Sequence, residues 1–282
     1  GHLNVSNNKA SSGNGGGINV ETLGTILQIS GIGTKVTVSG NMAQQGGGGA
    51  CMLTAGSVVV SDGAQVIVAD NTAGVLGGGL FAQDTGTHFN VTGAGTQLSF
   101  TGNRAETGGG GVFGSNLATM TVSAGAQMNV SKNEAASFGG GLYMQNSAKL
   151  YIAGSRTHVT VDQNAAGQFG GGLCFSTSEM AIASGARLDS VHNEAAVTGG
   201  GMLLQVNAKV FITGIGTQAR FSDNTAKNNG GGFSQGSNSI MQISSGAHVH
   251  FIHNTAEQQG GGIFMQSSSS LSVTGTGTQV FI

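Results

Sequence analysis

The chain has 282 residues, with 53 glycines, no proline, no tryptophan and a formal net charge of −2. Because only 8% of the residues are charged and 38% are hydrophobic, a disordered, self-repelling chain is excluded, and glycine without proline or a three-residue period excludes collagen. The near-neutral charge gives no basic surface, so we expect no nucleic-acid partner. No stretch approaches the ~18 consecutive apolar residues of a membrane helix.

One motif recurs nine times along the chain. It consists of a short alternating strand, an Asn-x-Ala corner, a few polar residues, three glycines and a second strand, with its clearest copy at residues 127–144. Intervals of roughly 30 residues between the corner asparagines indicate a solenoid, propeller or array. These asparagines are Asn8, Asn41, Asn71, Asn103, Asn133, Asn164, Asn193, Asn224 and Asn254.

Each repeat carries three strand signals with period-two alternation, as at residues 36–38, 142–144 and 150–152. Three short strands per repeat predict an all-β, right-handed parallel β-helix of about nine coils. At the ~4.8 Å spacing of paired strands, nine coils form a rod about 40 Å long. A propeller of four-stranded blades is the rival fold, but only three strand signals are visible.

We expect residues 1–282 to form one continuous β-helix segment of a longer repeat protein, since both ends of the sequence fall inside copies of the motif. Membrane contact is then expected only through a part that this segment does not contain. A second period is superposed on the first: one corner alternates between Gly-x-x-Thr, as at Thr157, and Gly-Ala, as at Gly185. The repeating block is therefore a pair of coils.

The corner asparagines are predicted to form a structural ladder, in which each side-chain amide bonds the amide of the next coil. We also expect these asparagines to adopt the left-handed conformation that the corner needs. The glycine runs lack the lysine of a phosphate-binding loop and are assigned to tight turns and close backbone packing.

An aromatic or aliphatic residue three positions before the asparagine is followed by the glycine run, as in Phe100-Thr-Gly-Asn103 and Phe221-Ser-Asp-Asn224. This pattern resembles the repeats of chlamydial polymorphic membrane proteins, which carry Phe-x-x-Asn and Gly-Gly-Ala-aliphatic tetrapeptides. Here the second tetrapeptide has glycine in place of alanine, as at residues 139–142. The resemblance implies an autotransporter-like β-helical passenger displayed at the cell surface with a role in adhesion.

One column after the glycines is apolar in the middle coils, and it is a candidate contact stripe if it faces solvent. The alternative is that it faces inward or is covered by a local loop. Cys51 and Cys174 share this column but lie too far apart for a disulfide. The stripe consists of Phe81, Phe113, Tyr143, Leu203 and Phe264.

A second column places His192, Asp223 and His253 just before three successive corner asparagines. Neighbours one coil apart would be able to share a metal ion, and a polar corner without a metal is the simpler interpretation. No cofactor is expected. The column that begins the first strand is polar and contains glutamine in half of its copies, as at Gln97 and Gln127, and a stacked polar ladder would account for it.

The sequence favours a non-catalytic extracellular surface rod that acts as an adhesin or as a fibre-forming subunit. The expected partners are other copies of the chain, a host-cell surface or a glycan surface. The alternative is a carbohydrate-binding or polysaccharide-degrading β-helix enzyme. Catalysis is disfavoured because the 12 acidic residues are scattered and no repeat carries a long insertion to wall a cleft. Ice binding is disfavoured because the outward column of the first strand is irregular.

Overall fold

A computed structural model describes all 282 residues and shows a parallel β-solenoid, which confirms the predicted fold class. Every strand pairs in parallel with the equivalent strand of the neighbouring coil, so the corner asparagines of adjacent coils, such as Asn133 and Asn164, are separated by 31 residues. No helix of the structure has the length and hydropathy that crossing a bilayer requires.

Four sheets run along the rod, and we number them I to IV in the order in which the chain enters them. Sheets I and IV contain the longest strands. The ten strands of sheet I are His2–Ser6, Lys35–Ser39, Gln65–Ala69, Gln97–Thr101, Gln127–Ser131, His158–Asp162, Arg187–Val191, Gln218–Ser222, His248–Ile252 and Gln279–Phe281. The nine strands of sheet IV are Ile26–Ser30, Ser57–Ser61, His88–Thr92, Thr119–Ser123, Lys149–Ala153, Glu179–Ala183, Lys209–Thr213, Ile240–Ser244 and Ser270–Thr274.

Sheets II and III lie between these two and have shorter strands. The strands of sheet II are Lys9–Ala10, Met42–Ala43, Thr72–Ala73, Arg104–Ala105, Glu134–Ala135, Ala165–Ala166, Glu194–Ala195, Thr225–Ala226 and Thr255–Ala256. Those of sheet III are Ile18–Glu21, Ala50–Leu53, Leu80–Gln83, Val112–Ser115, Leu142–Gln145, Leu173–Ser176, Met202–Gln205, Phe233–Gln235 and Ile263–Met265.

Each coil therefore has the three predicted strands and a fourth that the sequence pattern did not reveal. The additional strand is the two-residue element of sheet II, which occupies the x-Ala positions of the Asn-x-Ala corner, as in Glu134–Ala135. Two residues are too few for an alternation of polar and apolar side chains to be recognisable.

The core is a continuous column of apolar side chains inside the coil. In the strand Gln127–Ser131 the side chains of Met128 and Val130 are buried, whereas Gln127 and Asn129 are exposed. This alternation places every second side chain inside, where it stacks on its counterpart one coil away. Phe100, for example, pairs in register with Val130.

The three glycines of each run turn the chain and bring neighbouring coils into backbone contact. Gly139 has a φ of 58°, a left-handed conformation that favours glycine. A Cβ atom on Gly140 would lie 2.3 Å from the carbonyl oxygen of Ala165 in the next coil. The run is therefore required by the local backbone geometry.

The alternating corner between sheets IV and I has a hydrogen-bonding reason. Thr157 lies in a long corner, where its hydroxyl donates to the carbonyl oxygen of Ala153 at 2.9 Å. The same hydroxyl accepts the backbone N–H of Gly125, in the short corner of the preceding coil, at 2.9 Å. Thr96, Thr217 and Thr278 make equivalent pairs of bonds. Each threonine thus joins a long corner to a short one.

Replacement of Thr157 by valine should destabilise the rod, because Val keeps the shape but leaves the Gly125 N–H and the Ala153 carbonyl oxygen without partners. We expect a loss of about 1–3 kcal/mol in the free energy of unfolding, measured by urea denaturation. The control is Thr121→Val on the outward face of sheet IV, for which a change within ~0.5 kcal/mol is expected. Equal stability of the two variants would refute a bridging role for Thr157.

Candidate functional site

The corner asparagines form a buried hydrogen-bonded ladder along the rod. The Nδ2 group of Asn133 donates to Oδ1 of Asn164 at 2.9 Å and to the carbonyl oxygen of Phe100 at 3.0 Å. Its Oδ1 accepts the backbone N–H and the Nδ2 group of Asn103, at 2.9 and 3.0 Å. Both donor hydrogens and both lone pairs of the amide are thereby used. The pattern continues from Asn8 to Asn254.

The left-handed residue of the corner is the one before the asparagine, and not the asparagine itself as the sequence pattern predicts. Lys132 has a φ of 56° and His192 a φ of 50°, whereas Asn133 and Asn193 do not have positive φ. The chain turns at the preceding residue, and the asparagine N–H then donates to the side-chain oxygen of the next coil. The predicted left-handed conformation of the asparagines is therefore wrong.

The apolar column of sheet III is buried, so it is not an exposed contact stripe along the middle coils. Phe81, Phe113, Tyr143 and Leu203 are each less than a tenth exposed, and together with Cys51 and Cys174 they form a second apolar cluster outside the main core. The cover is a ladder of single residues in the segment before the glycines, which includes Leu76, Phe138 and Phe169. The alternative of a local covering loop therefore describes this face. Phe264, in the last coil, is partly exposed.

Side-chain sizes in the cover and in the column are complementary. A Cβ on Gly46 would lie 2.6 Å from the ring of Phe81 in the next coil, so the large ring occupies the space that this glycine leaves. Gly108 and Tyr143 show the same relation, also at 2.6 Å. The ring of Phe138 stacks on Tyr143 with centroids 5.3 Å apart, which closes the cluster with aromatic contacts.

Both cysteines belong to this second cluster and are free thiols. Burial, with smaller contributions from Glu21 and Asp84, raises the pKa of Cys51 to about 12. Burial also raises the pKa of the Cys174 thiol well above its ordinary value. The thiolate is the reactive form, so burial disfavours reaction at either sulfur, and both side chains pack as small apolar groups.

His192, Asp223 and His253 do not converge on a common point. Nδ1 of His192 lies 3.0 Å from Oδ1 of Asp162, one coil earlier, and Nδ1 of His253 lies 3.7 Å from Oδ1 of Asp223. No group of three or more His, Cys, Asp or Glu side chains in the structure is placed to hold a metal ion. The corner therefore contains separate histidine–aspartate pairs.

Sheet I carries a groove of about 380 Å³ on its outward face. One wall is formed by Gln65, Gln97 and Gln127, which are exposed and stacked in register in consecutive strands. Unlike the corner asparagines, these three amides make no side-chain hydrogen bond within the chain. The opposite wall includes Ser99 and Asn129. A polar ladder was one interpretation of this column, but the glutamine amides are not bonded to one another.

A charged network adjoins this groove at His158. Oδ2 of Asp189 accepts a hydrogen bond from Nε of Arg187 at 2.8 Å and lies 2.8 Å from Nε2 of His158, which lines the groove. Burial acts to raise the pKa of Asp189, but the hydrogen bonds from His158 and Arg187 outweigh it and hold this pKa below its ordinary value. The Asp189 carboxylate therefore stays ionised and acts as an acceptor. Its Oδ1 atom is buried without a partner.

Neither the groove nor the network was predicted from the sequence. Asp189 and Arg187 were visible only as irregular members of two columns, and their pairing with His158 depends on the register between coils. A signal was nevertheless present, because an acidic residue in an outward column lies diagonal to a histidine of the preceding coil.

The fold and its stacked amides define a parallel β-solenoid with a buried asparagine ladder. Residues 97–115 match the family model described as the Chlamydia polymorphic membrane protein (Chlamydia_PMP) repeat. The match includes Phe100, Asn103 and the glycine run before Val112, and it confirms the resemblance seen in the sequence for this copy.

The comparison with curated proteins gives no match to the chain. Among solved structures, the chain is similar to the crystal structure of a TibC-catalysed, hyper-glycosylated TibA fragment at 16% sequence identity, with 97% of this chain and 94% of that chain covered. The TM-score of this superposition is 0.16, which is too low to establish a shared fold.

Replacement of Asn133 by aspartate should break the ladder, because a carboxylate cannot donate and would face the oxygen atoms of Asn164 and Phe100. We expect a loss of about 3 kcal/mol or more in the free energy of unfolding, measured by urea denaturation at pH 7. The same substitution at exposed Asn129 is the control and should change stability by ~0.5 kcal/mol or less. A stable Asn133→Asp rod would show that the ladder is dispensable.

The depressed pKa of Asp189 predicts a pH-dependent contribution to stability. A lowered native pKa means that the contribution is complete above the unfolded-state pKa of about 3.9 and is lost as the pH falls through the native value. The stability difference between wild type and Asp189→Asn should therefore be constant near pH 5 and shrink towards pH 2. Thermal unfolding in that range measures it, with exposed Asp62→Asn as the control. A difference that grows with acid would contradict the assignment.

Proposed function

We propose that the chain is the rod of a cell-surface passenger and acts as a non-catalytic adhesin outside the cell. The match of residues 97–115 to the polymorphic membrane protein repeat is the observation that carries this proposal. It lies within a solenoid whose other coils repeat the same asparagine corner and glycine run. The extracellular location and the passenger role are inferred from that repeat.

The contrast between positions of the coil that keep the same residue type and positions that change supports a binding surface. Inward columns, the corner asparagines and the glycines are fixed by packing, whereas many outward positions differ from coil to coil. The middle outward column of sheet I changes from Asn129 to Thr160, Asp189, Arg220 and His250 in successive strands. Such a surface suits contact with a chemically heterogeneous partner, because extended solenoid faces present many side chains at fixed spacing.

The surroundings of the most perturbed carboxylate favour binding over catalysis. A general acid in glycoside hydrolysis needs a raised pKa, whereas the pKa of Asp189 is lowered and its Oδ2 atom is engaged by Arg187 and His158. The polysaccharide-degrading enzyme is therefore the weaker proposal. The proposed partners are a host-cell or glycan surface, and association with further copies of the chain is the second form of contact.

Beads coated with the purified rod should adhere to cultured host-type cells, and free rod added in solution should compete for the same sites. Electron microscopy of the free protein should show separate rods about 40 Å long, since nine coils stack at the ~4.8 Å strand spacing. Beads coated with urea-unfolded chain provide the control for non-specific adsorption.

Two results would contradict the adhesin. Long continuous threads together with no cell binding would replace it with a filament subunit. Release of reducing ends from a polysaccharide panel, at a rate proportional to rod concentration, would show that the protein is an enzyme.

A further inference from the structure

We infer that the groove on sheet I binds a neutral glycan chain lying along the rod axis. This inference rests on the proposed surface role, which it deepens by naming a partner class and a place on the rod. The groove extends over four consecutive strands, from the one that begins at Gln65 to the one that begins at His158. At the ~4.8 Å strand spacing, these four strands cover about 14 Å.

One wall of the groove has unused hydrogen-bonding capacity. Gln65, Gln97 and Gln127 are exposed, and their side-chain amides are not bonded to any group of the protein. Each amide offers two donor hydrogens and an acceptor oxygen. A sugar hydroxyl can also do both, since it has one donor hydrogen and two acceptor lone pairs. A row of free amides, one in each coil, therefore matches a polymer that presents hydroxyl groups at regular intervals.

The opposite wall continues this chemistry. The Ser99 hydroxyl is 2.9 Å from Thr101 Oγ1, and Nδ2 of Asn129 donates to Ser131 Oγ at 3.0 Å, so local bonds hold both side chains in place. The amide oxygen of Asn129 makes no bond within the chain and remains available as an acceptor. Fixed polar groups lose little side-chain entropy when a ligand binds.

The charge of the groove selects a neutral glycan over an acidic one. None of the lining residues is Asp, Glu, Lys or Arg, and His158 is the only histidine among them. His158 and the neighbouring Arg187 are both held by the Asp189 carboxylate. A glycan carboxylate would therefore find no unpaired cation on these walls.

The backbone groups beneath the groove are already hydrogen-bonded, which favours a glycan over an extended peptide as the ligand. Peptides that join a sheet do so at an edge, where backbone N–H and carbonyl groups are free. The strands that carry Gln97 and Gln127 are each paired on both sides. A peptide would therefore have to bind through its side chains alone, whereas a glycan binds through the hydroxyl groups that it has in every residue.

The lining also limits the affinity. It contains no Phe, Tyr or Trp side chain, and its one ring, the imidazole of His158, is engaged by Asp189. Binding of one short oligosaccharide is then weak, and a longer chain gains by engaging several coils at once. This property suits a surface rod that holds polymers by many contacts in parallel.

Isothermal titration of the 282-residue rod tests the inference, with cellohexaose and mannohexaose as neutral probes and oligogalacturonate as the acidic probe. At least one neutral probe should bind, and the acidic probe should bind more weakly. The triple variant Gln65→Ala, Gln97→Ala, Gln127→Ala should weaken the neutral interaction roughly tenfold or more, because several hydrogen bonds are lost together.

Gln218→Ala is the matched control, since Gln218 has the same exposed strand position but lies outside the groove. All four glutamines are exposed, so the variants should fold like the wild type, and circular dichroism and urea unfolding check this. Binding of neither neutral probe, preference for the acidic probe, or equal affinity of the triple variant and the wild type would overturn the inference.

The cell-adhesion assay separates this inference from the proposed function. Adhesion that is unchanged in the triple variant, combined with no binding of neutral glycans, would overturn the glycan groove and leave the adhesin in place. Glycan binding by a rod that does not adhere to cells would support the groove and overturn the adhesin.

Discussion

The stacking of the corner asparagines is the interaction on which the rest of the rod depends. Asn133 bonds to Asn103 on one side and to Asn164 on the other, through both atoms of its amide and through the backbone. These groups are buried, and an unpaired buried amide costs more than a typical hydrogen bond contributes, so the ladder tolerates no slip between coils. A fixed register at this corner sets the register of all four sheets, because each coil is one continuous chain.

Because the register is fixed, the size of side chain that fits at a position depends on the side chains in the neighbouring coils. Gly46 leaves room for Phe81 in the next coil, and Gly108 leaves room for Tyr143. The cover and the column would lose this fit if one coil moved relative to the next, since each large ring would then meet another side chain. The second apolar cluster is therefore a consequence of the ladder and adds to the stability of the same register.

The sequence was sufficient for the fold class, the three longer strands and the stacking position of the asparagines, because each leaves a periodic pattern. Burial of the apolar stripe could not be predicted in the same way. Its cover consists of one residue in each coil, such as Leu76, Phe138 and Phe169, and other coils have Gly46 and Gly108 at this place, so no polar–apolar period is visible. The groove was missed for a related reason: a column of glutamines has the same appearance whether its amides bond each other or remain free.

The two columns of side-chain amides in this rod differ in their bonding, because the asparagines pair with one another and the glutamines do not. Their exposure to water explains the difference. Asparagine at the buried corner has no access to water, so it pairs with its own copies; glutamine on the exposed face exchanges bonds with water at little cost and stays unpaired.

The alternating corner between sheets IV and I likewise requires that a polar group find its partner in the neighbouring coil, and this requirement limits how coils can be added. Because the hydroxyl of Thr157 satisfies the N–H of Gly125 in the preceding coil, insertion of a single coil with a short corner would leave one such N–H facing alanine. Coils added in pairs avoid that loss, which gives a physical reason for the two-coil period.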